Sequence, residues 1–142
     1  MAQASGGEAN APAWTPRLLG GFFALATLLC ALAGTSLLLP GGALDWIWLI
    51  KPEQHNLLLA LGPWMGAGFL ALALAMAAAS LGAFRRRRWG WGLAVLIFAV
   101  NGAGDAARIP AGAVLEGAIG VAVTALILWW LTRPRVRILF GR

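Results

Sequence analysis

Four long apolar runs, at 18–39, 57–84, 89–107 and 113–131, carry no charged residue near their middles. A bilayer's hydrocarbon core, about 30 Å thick, is crossed by about 20 such residues in helical form. Backbone N–H and C=O groups in lipid must be paired within the segment or around a closed barrel. No stretch alternates polar and apolar residues with period two, so a transmembrane barrel has no support. The chain is therefore expected to be an all-α polytopic membrane protein with four transmembrane helices in an antiparallel bundle. Composition agrees: 61% hydrophobic and 11% charged residues, with a mean hydropathy of +0.80, would leave a water-soluble globule of this size covered in apolar patches. The nineteen glycines and many alanines sit inside leucine-rich runs, so disorder is expected only at the N-terminus.

Between and around the runs the sequence is punctuated. Residues 1–16 are small, polar and rich in Pro, Gly and Ala, and read as a flexible tail. The run from 18 is longer than a signal-peptide core and lacks a basic region before it apart from Arg17, so it reads as a retained helix, although Ala31-Leu32-Ala33 resembles a cleavage site. In the second run, Gly62-Pro63 removes a backbone donor and disfavours helix at Gly62. The uninterrupted crossing is expected at 64–81, with 57–61 as a separate turn or kinked extension. The connection 40–56 contains Asp45-Trp46-Ile47-Trp48-Leu49-Ile50-Lys51, too short to cross and too apolar for water, and is expected in the outer interface or over the bundle mouth. Residues 134–142 read as a basic tail.

Charge sets the direction of threading. Arg17, Arg85, Arg86, Arg87, Arg88, Arg133, Arg135, Arg137 and Arg142 fall on one side of an even number of spans, and only Lys51 and Arg108 on the other. Basic loops are retained in the cytoplasm, so nine against two places both termini inside. The eight tryptophans fall at span ends, where indole prefers the headgroup level: Trp14, Trp89, Trp91, Trp129 and Trp130 within, Trp46, Trp48 and Trp64 without. The expected location is a bacterial cytoplasmic (inner) membrane, the bacterial origin resting on alanine, glycine and arginine richness with one lysine.

Several functions are excluded on the same grounds. The net charge of +6 comes from arginines at the ends of apolar runs rather than from a solvated basic face, which argues against nucleic-acid binding. Lone Cys30 excludes a disulfide framework and lone His55 excludes a bis-histidine haem within one chain. No His-x-x-x-His or Glu-x-x-His spacing concentrates metal ligands, and Ser36 and Ser80 sit in apolar runs without a nearby base. No metal and no catalytic residue is expected. Helix association in lipid depends on close contact between small residues. Candidate contact stripes are Ala26, Cys30 and Gly34; Gly62 and Gly66, then Ala71, Ala75 and Ala79; Ala99, Ala103 and Ala107; and Ala118 and Ala122.

The polar constellation that stands out is Asn101, Asp105 and Arg108, spaced four and three apart on one helix face, with Glu116 just beyond the hairpin. One reading is a charge clasp that closes the hairpin, Arg108 held between two carboxylates. The other is a polar pocket open to the outer face, reached also by Glu53 and His55, for a cation, quinone head group or small solute. The Arg85, Arg86, Arg87 and Arg88 run is suited to anionic lipid headgroups.

The arginine turn followed by Trp89-Gly90-Trp91-Gly92, the stretch Asn101-Gly102-Ala103-Gly104-Asp105-Ala106-Ala107-Arg108 and the closing Arg133-Pro134-Arg135 resemble the small four-helix DoxX-like bacterial membrane proteins. Some of that group are associated with quinone-linked redox complexes, so the resemblance implies a quinone as a possible cofactor. The chain is also similar in size and span number to small multidrug exporters, but its first run lacks the glutamate that those exporters require there. The functional expectation is a non-enzymatic accessory or stabilising subunit, with a membrane protein partner or a second copy of itself. A small-solute or ion transporter using the outer cluster, and a quinone-linked redox component with its site beneath Trp46 and Trp48, are the alternatives.

Overall fold

A computed structural model describes residues 13–141. Its helices are α1 (Thr15–Leu38), α2 (Pro52–Ala60), α3 (Pro63–Phe84), α4 (Arg88–Arg108), α5 (Val114–Thr132) and α6 (Pro134–Ile138), with a 3₁₀ turn at Ala43–Trp48. There is no strand among the described residues. Helices α1, α3, α4 and α5 are each long and apolar enough to cross a membrane. The shortest has 19 residues and the longest 24, about 28 to 36 Å at 1.5 Å per residue.

Proline marks the starts. Pro52, Pro63 and Pro134 each open a helix, where a missing N–H costs nothing and φ is already helical. Gly62 adopts φ of +86° between α2 and α3, a conformation that penalises any side chain, and the second run breaks there. Residues 57–60 consequently belong to a nine-residue helix that begins at Pro52, longer than the single turn expected from sequence.

The antiparallel bundle is built as two pairs. Helix α1 lies against α3, with Gly34 over Gly66 and Leu70, Cys30 Sγ 3.9 Å from Met76 Sδ, and Ser80 Oγ donating to the Gly20 carbonyl at 2.8 Å. An interhelical bond of this kind in lipid is worth about 0.6 to 1.7 kcal/mol. Helix α4 lies against α5, with Gly102 on Thr124 and Gly117 on Ile109. The pairs meet where α3 and α4 cross at Gly82 and Gly90, backbone against backbone.

Bulky side chains gather at this arginine-rich end. Leu19 and Phe23 of α1, Ala79 and Ala83 of α3, Ala94 and Phe98 of α4 and Leu131 of α5 form one buried cluster. Phe98 stacks on Phe22, centroids 5.8 Å apart, and tilts against Phe23. Beyond Phe98, toward the opposite end, α4 has no buried residue. Most leucines of the spans, such as Leu25, Leu29, Leu74, Leu96 and Leu126, are exposed and face the lipid.

Both described ends of the chain return to the arginine turn. Arg86 Nη2 donates to the Ala13 carbonyl at 3.4 Å, and Gly141 lies beside Arg88. The described parts of both tails join the helical structure. Thr15 and Pro16, placed in a flexible tail by sequence, start α1 and are fully buried there. The basic tail 134–142 contains α6, whose Val136 is buried, followed by Phe140 at 1% exposure within the same cluster. Residues 1–12 of the expected N-terminal tail, and Arg142, lie outside the described residues.

Candidate functional site

Polar side chains concentrate in three places. The first is the turn between α3 and α4. Arg86 sits at φ of +53°, and the Arg86 and Arg87 amides donate to the Ala83 and Gly82 carbonyls at 3.0 and 2.9 Å. These two bonds form a Schellman termination, with arginine at the left-handed position normally held by glycine. Arg85, Arg87 and Arg88 are exposed around it.

The second place is the turn end of the α4–α5 hairpin. Arg108 stands between Asp105 and Glu116, with N–O distances of 3.9 and 3.7 Å, and Asn101 Nδ2 is 3.5 Å from Asp105 Oδ2. These separations are too long for strong charge-assisted bonds, and the guanidinium is 53% exposed, so the ion pairs contribute little to stability. What distinguishes Asp105 is packing: its side chain is 18% exposed, and its carboxylate fills the notch left by the missing side chain of Gly120. Glu116 is turned the other way and, with Lys51, Glu53 and Gln54, borders an open cavity of about 400 Å³ between α2 and α5. Glu53 thus approaches Glu116, but His55 does not join them.

His55 belongs to the third place, which sequence reasoning missed as a unit. Asp45, in the 3₁₀ turn, accepts from Ser36 Oγ at 2.7 Å through one carboxylate oxygen and from the Gly41 amide at 2.7 Å through the other. Trp48 Nε1 donates to Ser36 Oγ at 3.0 Å, and the Trp48 ring stacks on His55 with centroids 5.1 Å apart and planes 6° from parallel. Ser36, fully buried near the end of α1, is the hub. The Ser36 hydroxyl and the Gly41 amide hold the Asp45 carboxyl below its ordinary value. Gly41, at φ of +81°, turns its N–H toward that carboxylate.

The third place corrects one expectation: Ser36 does have an acidic neighbour. Its geometry is nevertheless that of a latch rather than a nucleophile. The Ser36 hydroxyl donates directly to a carboxylate and receives the indole N–H, while the imidazole stacks on the indole instead of reaching the hydroxyl oxygen. Trp46, expected over a ligand site with Trp48, is 65% exposed and takes no part in the network. Asp45 carried a weak signal in the sequence, as an acidic residue at the start of a short apolar stretch after Gly41-Gly42.

Among the described residues, no three His, Cys, Asp or Glu side chains converge as metal ligands. Of the small-residue stripes, Cys30 and Gly34 of α1 are used against α3, where Gly34 meets Gly66, and Ala79 of α3 lies in the buried cluster. Ala71 of that second stripe is exposed. Ala99, Ala103 and Ala107 of α4 and Ala118 and Ala122 of α5 are all exposed, so the α4–α5 interface is not the one their spacing suggested. It is built instead on Gly102, Gly117 and Gly120, which admit Thr124, Ile109 and Asp105. No family model, curated protein or solved structure matches the chain.

Proposed function

We propose that this chain is a non-enzymatic accessory subunit that stabilises a membrane complex, set in a bacterial inner membrane with its arginine-rich end in the cytoplasm. The observation that carries this reading is the outward face of the second helix pair. Ala99, Ala103 and Ala107 on α4, and Ala118 and Ala122 on α5, are exposed, and α4 buries nothing after Phe98. Small residues in register let another helix approach closely, which is the main source of affinity between helices in lipid. The DoxX-like kinship that we propose on the Trp89–Gly92 and Asn101–Arg108 motifs fits the same role.

Purification in mild detergent followed by native mass spectrometry tests it, because partner, copy number and any bound cofactor are weighed together. A defined assembly is expected with the wild-type chain, and its loss with Ala103→Leu and Ala122→Leu, which leave the intramolecular contacts untouched. A lone chain at every concentration, unaffected by either substitution, overturns the reading. Stoichiometric quinone in the purified particle would favour a redox component instead. Asp105→Asn and Glu116→Gln separate the transporter alternative: a change in solute or ion flux supports transport, and unchanged flux with lowered abundance supports a structural hairpin clasp. Membrane-impermeant labelling of cysteines introduced at Lys51 and at Gly141 in intact cells checks the threading.

A further inference from the structure

One cavity lies at the opposite end from the loop. It has a volume of about 370 Å³ and lies between the first turns of α4 and the C-terminal segment, lined by Arg88 and Arg137 together with the apolar Trp91, Pro134, Ile138 and Phe140. We propose that it is a binding site for the phosphate group of an anionic phospholipid, the guanidinium groups of Arg88 and Arg137 holding the phosphate and the apolar walls taking the start of an acyl chain.

Charge, depth and shape each point to this occupant. Asp45, Glu53, Asp105 and Glu116, the acidic residues among the described ones, all lie at the other end of the spans, and the ion pairs there belong to Arg108. Neither Arg88 nor Arg137 has a carboxylate partner among the described residues, although Arg137 lies over the Trp91 ring at 5.5 Å. Two guanidinium groups facing one cavity suit a tetrahedral anion, to which each presents forked N–H donors. The depth is that of lipid headgroups. Arg88 is the first residue of α4, Trp89 and Trp91 lie in its first turn and Trp129 in the last turn of α5, the span-end positions where indole collects at membrane interfaces.

The lining separates a lipid from a soluble phosphate. Trp91 and Phe140 give the cavity an apolar wall, and Ile138 is 72% exposed at its edge, as suits contact with hydrocarbon rather than water. Phe140 and Val136 pin the segment that carries Arg137 into the core, so the second guanidinium is presented by an ordered element and not by a loose tail. Arg85 and Arg87 stand outside this cavity. The site is independent of the accessory-subunit reading, since it needs no protein partner.

The test uses the full chain, delipidated in detergent and titrated with phosphatidylglycerol, with phosphatidylcholine of the same acyl chains, and with inorganic phosphate, each followed by native mass spectrometry. One phosphatidylglycerol is expected to be retained per chain in preference to phosphatidylcholine. Arg88→Gln combined with Arg137→Gln should weaken retention by about tenfold or more, the scale of lost charged hydrogen bonds. Arg85→Gln combined with Arg87→Gln removes the same charge from the same end and should leave retention within about twofold. A third variant guards against a folding defect: Gly92 lines the cavity with open space where a side chain would begin, so Gly92→Leu fills it without touching an arginine and should also abolish retention. Equal loss in both arginine pairs would show diffuse attraction and overturn the proposal. Equal retention of phosphatidylcholine, or displacement of the lipid by millimolar inorganic phosphate, would overturn it as well.

Discussion

The two ends of this protein are held by different physics. At the arginine-rich end, α1, α3, α4, α5 and the C-terminal segment converge on Phe23, Phe98, Leu131 and Phe140, and backbones touch at Gly82 and Gly90. At the loop end, order comes from hydrogen bonds around Ser36 and Asp45 on the first helix pair, and from the Gly120 notch on the second. Packing of large side chains joins α1, α3, α4, α5 and α6 in one cluster, whereas a hydrogen-bonded latch joins only neighbours in the chain. The arginine end should therefore respond to substitution globally, and the loop end locally.

The sharpest way to break that contrast is at the helix crossing. Gly82→Val places side-chain atoms inside the α4 backbone at Gly90, and neither backbone can yield cheaply. The expected loss is at or above the upper end of about 1–3 kcal/mol for overpacking, read as a lowered thermal midpoint of the whole protein in detergent. A normal midpoint would mean that the pairs are not held together at this crossing.

Next in size is the latch. Ser36→Ala strips a donor from Asp45 and an acceptor from Trp48, at a cost of about 1–3 kcal/mol. The effect should appear as faster amide exchange over 40–60, with the spans unchanged. The same latch has a pH dependence of fixed sign. Because the folded protein lowers the Asp45 pKa, its contribution is complete above the ordinary carboxylate range and is lost as pH falls through the depressed value. Amide exchange in 40–60 should therefore rise at acid pH beyond the intrinsic chemical dependence. Asp45→Asn should remove that component.

A smaller effect of opposite sign is expected at the arginine turn. Arg86→Gly relieves a left-handed residue worth about 1 kcal/mol and loses only the 3.4 Å bond to Ala13, so the thermal midpoint should rise. Smallest of all is Arg108→Gln. With partners at 3.9 and 3.7 Å and a half-exposed side chain, removal of its charge should cost less than about 1 kcal/mol, most visible at low salt. A larger loss would show that the hairpin clasp is a main support of α4 and α5.

Much of this architecture was legible before any coordinates. The apolar runs, the Gly62-Pro63 break and the short arginine turn each follow from local rules: hydrocarbon thickness, the missing proline donor, the reach of a four-residue connection. Arg108 flanked by Asp105 and Glu116 was also readable, since helix periodicity and a tight hairpin leave those residues few other places. The Ser36, Asp45, Trp48 and His55 latch was not, because Asp45, Trp48 and His55 lie nine to nineteen positions from Ser36 across an irregular loop that no period constrains. The docking of α6 was missed for a related reason. A five-residue helix has too little pattern to announce itself, although Pro134 marked its start.

The stripes of small residues show where pattern stops being informative. Small residues at spacing four recur on every span, yet α4 and α5 meet through Gly102, Gly117 and Gly120 and leave Ala99, Ala103, Ala107, Ala118 and Ala122 exposed. Amino-acid order alone determined how many helices are long and apolar enough to cross, and approximately where they lie, because lipid thickness and proline chemistry act on one segment at a time. Which faces meet, and that one end closes on aromatic side chains while the other is latched by Ser36, was decided only in the tertiary structure. Helix faces in a uniformly apolar chain differ by little hydrophobicity, so the choice among them falls to steric fit between segments distant in sequence.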